Sequence, residues 1–186
     1  LDKFTSFTKL DFREYLSLNL MPNELSNLTS LIILNMQGCS SLISLSKELG
    51  NITSFIELDI RRLRWFLKKC LSFTSLPKEL GNLTSLTTLR LRWYLKLALL
   101  PKELSKLISL IILDIRKCSS LTLLPIDLSN LLSLNTLNTK KCLSLILLPK
   151  ELDNLTSLIG LNMSRFSSLI SLQKELNLIS LITYLL

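Results

Sequence analysis

Cations recur along this chain at matching intervals, and two of them stand directly beside tryptophan. Arg92, Arg116 and Lys140 follow one another at steps of 24 residues, and Trp93, Lys117 and Lys141 repeat the same step one residue later. Arg13, Arg61, Arg62, Arg90 and Arg165 fall into the same series, and Arg64, Trp65, Lys68 and Lys69 fill a denser segment after Arg62. Such a set is suited to recognising anions. A guanidinium fork grips a carboxylate or phosphate through two hydrogen bonds, and an ammonium acts as a point charge. Arginine and tryptophan together are also the residue types that dominate binding hot spots. The competing reading is a solvated sheet edge, where the same cations only discourage aggregation.

Other chemistry is poorly represented. The chain has no histidine, which removes the commonest general base and the commonest metal ligand. No catalytic residue, metal ligand set or cofactor motif is expected. Cys39, Cys70, Cys118 and Cys142 form no CxxC motif, and their spacing follows a repeat period. The cysteine position alternates with Tyr15, Tyr94 and Phe166, which indicates a buried side chain, not a nucleophile. Cys118 and Cys142 are expected on adjacent rungs about 5 Å apart, as free buried thiols. Five N-x-[ST] sequons, at Asn27, Asn51, Asn82, Asn154 and Asn162, are read as turn residues bonding to their own backbone.

The elements that position these residues are revealed by self-comparison. Cutting before Phe4, Leu28, Ile52, Leu83, Leu107, Leu131, Leu155 and Leu178 aligns the chain as LxSLxxLxLxxCxxLxxLPxELxN. The five prolines (Pro22, Pro77, Pro101, Pro125, Pro149) all fall at position 19 of the unit, with an acid two places later. A stretch such as Leu113-Asp114-Ile115 alternates as a half-buried strand does. Proline then turns the chain, and leucines three or four apart line a tight return. One unit cannot bury its leucines alone; stacked units bury a continuous column and pair their strands in parallel. The expected fold is an α/β-type solenoid, right-handed, with a parallel sheet on the concave face and short 3₁₀ or irregular convex returns. Residues 1–186 form a single domain, read as a piece of a longer chain.

Placing the charges on this repeat is informative. The chain holds 22 Lys+Arg and 14 Asp+Glu, a net charge of +8. The strand face and its rim carry thirteen of the cations, against five acids (Asp11, Glu14, Glu57, Asp59, Asp114), an excess equal to the whole net charge. The Lys-Glu pairs behind the proline, such as Lys102-Glu103, cancel. The longest uncharged stretch, Leu25 to Ser46, has a polar residue every two or three positions, so no membrane span is expected.

The repeat resembles the leucine-rich repeat family. The cysteine after the LxxLxL core and the LP step behind it are similar to repeats of plant intracellular immune receptors. That resemblance implies a leucine-rich repeat arc, recognition on the concave face and a cytoplasmic setting. The favoured function is a protein-recognition scaffold that binds an acidic partner on its basic concave face. A sensor of a phosphorylated small molecule or other polyanion is the alternative. Nucleic acid ranks third, because aromatics do not interleave along the stripe.

Four further expectations follow. Thr139 replaces a strand leucine, so its rung is expected to be the weakest packed. The seven extra residues of the third unit, placed at Arg61–Leu67, are expected to leave the solenoid as a recognition finger. The repeat runs into both ends without a polar cap, so self-association through exposed ends is expected. Reversing Arg92, Lys117 and Lys141 to Glu is expected to weaken binding while leaving the thermal midpoint nearly unchanged.

Overall fold

A computed structural model describes residues 6–62, 73–146 and 148–163. Each of the first seven units contributes one three-residue strand: β1 Lys9–Asp11, β2 Ile33–Asn35, β3 Glu57–Asp59, β4 Thr88–Arg90, β5 Ile112–Asp114, β6 Thr136–Asn138 and β7 Gly160–Asn162. They form one parallel sheet in chain order. The central leucines (Leu10, Leu34, Leu58, Leu89, Leu113, Leu137, Leu161) are in register from rung to rung. From Leu34 onward they are buried, and with the other repeat leucines they make one continuous core. The architecture is the expected solenoid arc.

The convex returns are five-residue 3₁₀ turns, at Asn23–Asn27, Lys47–Asn51, Lys78–Asn82, Lys102–Lys106, Ile126–Asn130 and Lys150–Asn154. Proline stands at the N-cap of five of them, in extended geometry at Pro22, Pro77 (φ −66, ψ 139) and Pro101. Its fixed φ suits that place, and its missing N–H deprives nothing there. In the second unit Ser46 stands in for proline, and its hydroxyl accepts from the Glu48 N–H at 3.2 Å. Glu or Asp follows in the first turn of every one, where the helix dipole favours it.

Past five of the seven strands the chain makes one left-handed residue at position 11: Glu14 (φ 60), Gly38 (φ 81), Trp93 (φ 69), Lys117 (φ 63) and Lys141 (φ 66). Its N–H then donates to the position-10 carbonyl of the next rung, as Trp93 does to Arg116 (3.0 Å) and Lys117 to Lys140 (2.9 Å). Only Gly38 adopts this conformation without the usual cost of about 1–2 kcal/mol. The inter-rung bond and the stacking of the units offset that cost elsewhere. The strained backbone at Trp93 is therefore a property of the repeat and not a peculiarity of that residue.

The longer third unit departs from expectation in its register. The Gly38 N–H donates to the Arg61 carbonyl (2.8 Å) and the Arg62 N–H to the Arg92 carbonyl (3.0 Å). Arg61 and Arg62 thus continue the ladder, and the extra residues begin after Arg62, not at Arg61. The repeat resumes in the core at Phe73. The intervening segment, with Arg64, Trp65, Lys68, Lys69 and Cys70, lies outside the described residues, as do Arg165 and Phe166. Thr139 is fully buried, and its hydroxyl donates to the Asn162 carbonyl at 3.3 Å. No helix among the described residues is long and apolar enough to cross a membrane.

Candidate interaction face

The concave surface is built from two columns of each rung. Position 8, the last residue of the strand, is Asp or Asn in six of the seven rungs. Where Asp11, Asn35, Asp59, Asp114 and Asn138 stand, the side-chain oxygen accepts from the backbone N–H two residues on, at 3.1–3.3 Å. This turn-forming bond is the work Asx side chains do next to strand ends. It aims the position-10 side chain back across its own rung.

That geometry ties up most of the arginines singled out from the sequence. Arg13 reaches back to Asp11 with Nε 2.9 Å from both carboxylate oxygens, and this bond holds the Asp11 carboxyl below its ordinary range. Arg61 does the same with Asp59 (Nη2–Oδ2 2.6 Å) and reaches Gln37 Oε1 at 3.3 Å on the neighbouring rung. Asp114 takes two guanidiniums, Arg116 from its own rung at 2.8 Å and Arg92 from the preceding one at 2.6 Å. Burial pushes the Asp114 carboxyl up, against the pull of Arg92. Arg90, the one departure from Asx at position 8, pairs with Glu57 across the β3–β4 seam. The stripe is a lattice of internal ion pairs from its third to its fifth rung, with the separate Arg13–Asp11 pair on the first. Arg92 is a strut of that lattice. Its reversal would set a second carboxylate against buried Asp114, so the expectation of an unchanged thermal midpoint does not hold for this residue.

Arg62 is placed differently. It is buried, its guanidinium lies 4.9 Å from the Tyr94 ring centroid, and Nη2 donates to the Ser40 and Leu42 carbonyls. Its charge is spent inside the solenoid and not on the rim. Trp93 is half-buried on the concave side, with the Lys117 ammonium 3.6 Å from its ring centroid. Lys140 and Lys141 stand exposed on the next rung, whose position 8 is the neutral Asn138. Among the described candidates the structure thus brings Trp93, Lys117, Lys140 and Lys141 together.

No protein-family model matches the chain, and no curated protein matches it. Among solved structures it is similar to the leucine-rich repeat domain of the type III effector XopL, at 21% identity and a TM-score of 0.55, over 78% of this chain and 57% of that one. The fold is that of a leucine-rich repeat arc. A leucine-rich repeat protein of Leptospira interrogans is also similar (20% identity, TM-score 0.30, 92% of this chain and 65% of that one). So is the ectodomain of the Arabidopsis receptor kinase HAESA, solved with a peptide hormone (21% identity, TM-score 0.43, 77% of this chain and 27% of that one). The chain spans less than two thirds of each of these proteins.

Within the leucine-rich repeat arc the cysteine position has a clear role. Cys39, Cys118 and Cys142 are free and buried, and each thiol lies 3.0–3.1 Å from the position-9 carbonyl of the preceding rung. Tyr94 fills the same position and does the same job, its hydroxyl donating to the Ile60 carbonyl at 2.7 Å. Its larger ring packs on Phe73 (centroids 4.3 Å apart) and Arg62. Burial pushes all three thiols up, Cys142 to about 11. These groups are hydrogen-bond donors and not nucleophiles. In a Cys70→Ser protein, Cys142 is therefore expected to react with a disulfide reagent at pH 8 about 100-fold or more slowly than an ordinary thiol, because so little thiolate is present there. Three thiols should become reactive together on adding denaturant; fast modification of Cys142 in the native protein would contradict this. Among the described residues no group of three or more His, Cys, Asp or Glu is arranged to hold a metal ion.

Sequence reasoning treated the stripe acids only as a subtraction from the charge. The signal that would have found their role was present: Asp11-x-Arg13, Asp59-x-Arg61 and Asp114-x-Arg116 repeat one spacing in three units.

Proposed function

We propose that this leucine-rich repeat arc is a protein-recognition scaffold, not an enzyme, and that it takes an acidic partner on its concave rim around Trp93, Lys117, Lys140 and Lys141. The observation that carries this reading is the uneven neutralisation of the stripe. Carboxylates hold Arg13, Arg61, Arg90, Arg92 and Arg116, whereas Lys140 stands exposed on a rung whose position 8 is the neutral Asn138. Trp93 adds a half-exposed aromatic anchor of the kind that dominates interface energetics. Rim charges of this sort speed association and select an oppositely charged partner. A sensor of a phosphorylated small molecule needs guanidinium forks that are open to it, and the forks described here already grip carboxylates or, at Arg62, backbone carbonyls inside the solenoid. The cysteine and LP step of the repeat, with its free thiols, support a finer reading as the sensing part of a cytoplasmic, plant innate-immune-type receptor, since reducing compartments keep thiols unpaired.

The test compares three probes on the whole chain at two salt concentrations: a glutamate-rich peptide, inositol hexakisphosphate and a DNA duplex. The peptide is expected to bind, and K140E/K141E is expected to weaken it at least about 10-fold, which converts to about 1.4 kcal/mol. Tight duplex binding with a steep log-log salt slope would replace this reading with nucleic-acid recognition. Preference for the inositol phosphate would replace it with anion sensing.

A further inference from the structure

The convex flank carries a feature that concave recognition does not use. At positions 16 and 17, just ahead of each proline, successive rungs are joined by a second backbone ladder. Ala98 N–H donates to Thr74, Thr122 to Ala98 and Ile146 to Thr122, at 3.2–3.4 Å. This ladder holds the adjoining side chains at rung spacing. Over the rungs that begin at Leu83, Leu107 and Leu131 those side chains are large and apolar: Leu99 is 58% exposed, Leu123 50% and Ile146 61%. Ile126, at the start of the following 3₁₀ turn, is 56% exposed and widens the stripe. Together they present on the order of 400 Å² of apolar surface, the size of the largest apolar patch on a typical monomer, which is often functional.

We propose that this flank pairs with a second copy of the chain. The charge distribution selects that occupant. The flank is bordered by Lys102-Glu103, the single acid Asp127 and Lys150-Glu151, so it carries little net charge in a chain of net charge +8, and two copies meet there with little like-charge repulsion. An acidic partner would instead be drawn to the opposite, concave side. A twofold axis running along the stripe stacks apolar side chain on apolar side chain and sets the two Lys-Glu columns on opposite sides of the seam. Two convex surfaces touch over only a few rungs, and the stripe is three rungs long. Its area is below the roughly 800 Å² per partner of a standard interface, so the dimer is a weak one that forms at micromolar concentration or above. In it both concave faces point outward, which gives a two-headed scaffold whose avidity for a divalent partner exceeds that of either face.

Sedimentation velocity on the whole chain, over an about 100-fold concentration range centred in the micromolar region, tests this. The expected result is a monomer–dimer equilibrium that stops at the dimer. Leu123→Glu is expected to raise the dissociation constant at least about 10-fold with no change in thermal midpoint, because the side chain is exposed. Leu143→Glu, at a 75% exposed leucine off the stripe, is expected to leave the dimer intact. A wild-type chain that stays monomeric throughout overturns the proposal. So does a dimer that survives Leu99→Glu with Leu123→Glu, or open-ended growth with concentration, which is the signature of stacking through the solenoid ends.

Discussion

Asp59→Ala is expected to destabilise the folded chain by about 2–3 kcal/mol, whereas Asp59→Asn is expected to cost less than about 1 kcal/mol. The carboxylate of Asp59 is buried and serves two groups at once, the Arg61 backbone N–H at 3.1 Å and the Arg61 guanidinium at 2.6 Å. Alanine leaves the N–H without its acceptor in a half-buried turn, which costs about 1–3 kcal/mol. It also strips the partner from a guanidinium that is only 25% exposed. Asparagine keeps the first bond and loses the charge. The repeat itself supplies the control, because Asn35 and Asn138 make the same turn bond to Gln37 and Lys140 with no charge at all. The measurement is equilibrium unfolding in urea. Equal losses for the two variants would show that the ion pair, not the turn, holds the rung.

Gly81→Ala is expected to cost about 2 kcal/mol although alanine is the better residue for a helical turn. The backbone at Gly81 is not left-handed, so an open site would gain up to about 1 kcal/mol from the substitution. The site is not open. A Cβ there would stand 2.3 Å from the Glu103 carbonyl oxygen, and that oxygen belongs to the backbone of the next 3₁₀ turn, so the two convex turns must move apart. Gly50 meets the Glu79 carbonyl in the same way at 2.4 Å. Ser26, Ser105, Ser129 and Asp153 occupy this position in the other complete units of the described chain, so the repeat can open its back by a fraction of an ångström, and this limits the cost. Ser105→Ala is therefore expected to be neutral within about 0.5 kcal/mol. A Gly81→Ala protein with a raised thermal midpoint would show that the convex spacing is soft.

These two outcomes bear on function through the shape of the arc. The Asx turns fix where the position-10 side chains of the concave rim point, and the glycine contacts set how closely the third and fourth rungs approach at the back. A partner that reads Trp93, Lys117 and Lys140 together reads three consecutive rungs. Changes in rung spacing therefore alter the distance between its contacts without touching any of them.

The repeat and its consequences could be read from the sequence alone. The recurring leucines, the proline at position 19 and the acid two places later dictated parallel rungs and short convex turns, because one unit cannot bury its leucines without neighbours. Burial of the cysteines was legible too, since Cys39, Cys118, Cys142 and Tyr94 share one repeat position. Three things depended on the tertiary structure. Which cations are held by carboxylates depended on hydrogen bonds within and between rungs: Arg92 is committed to Asp114 of the next rung, a contact between residues 22 positions apart that no local pattern announces. The fate of Arg62 depended on Tyr94, whose ring replaces a cysteine and draws the guanidinium inside by a cation–π contact and two backbone carbonyls. The exposure of Leu99, Leu123 and Ile146 was hidden because leucine and isoleucine read as core at every position of such a repeat. Only the stacked coil shows that positions 16 and 17 turn outward, since the backbone there is already engaged in its own inter-rung ladder and the interior beside it is filled by Leu97, Leu121 and Leu145.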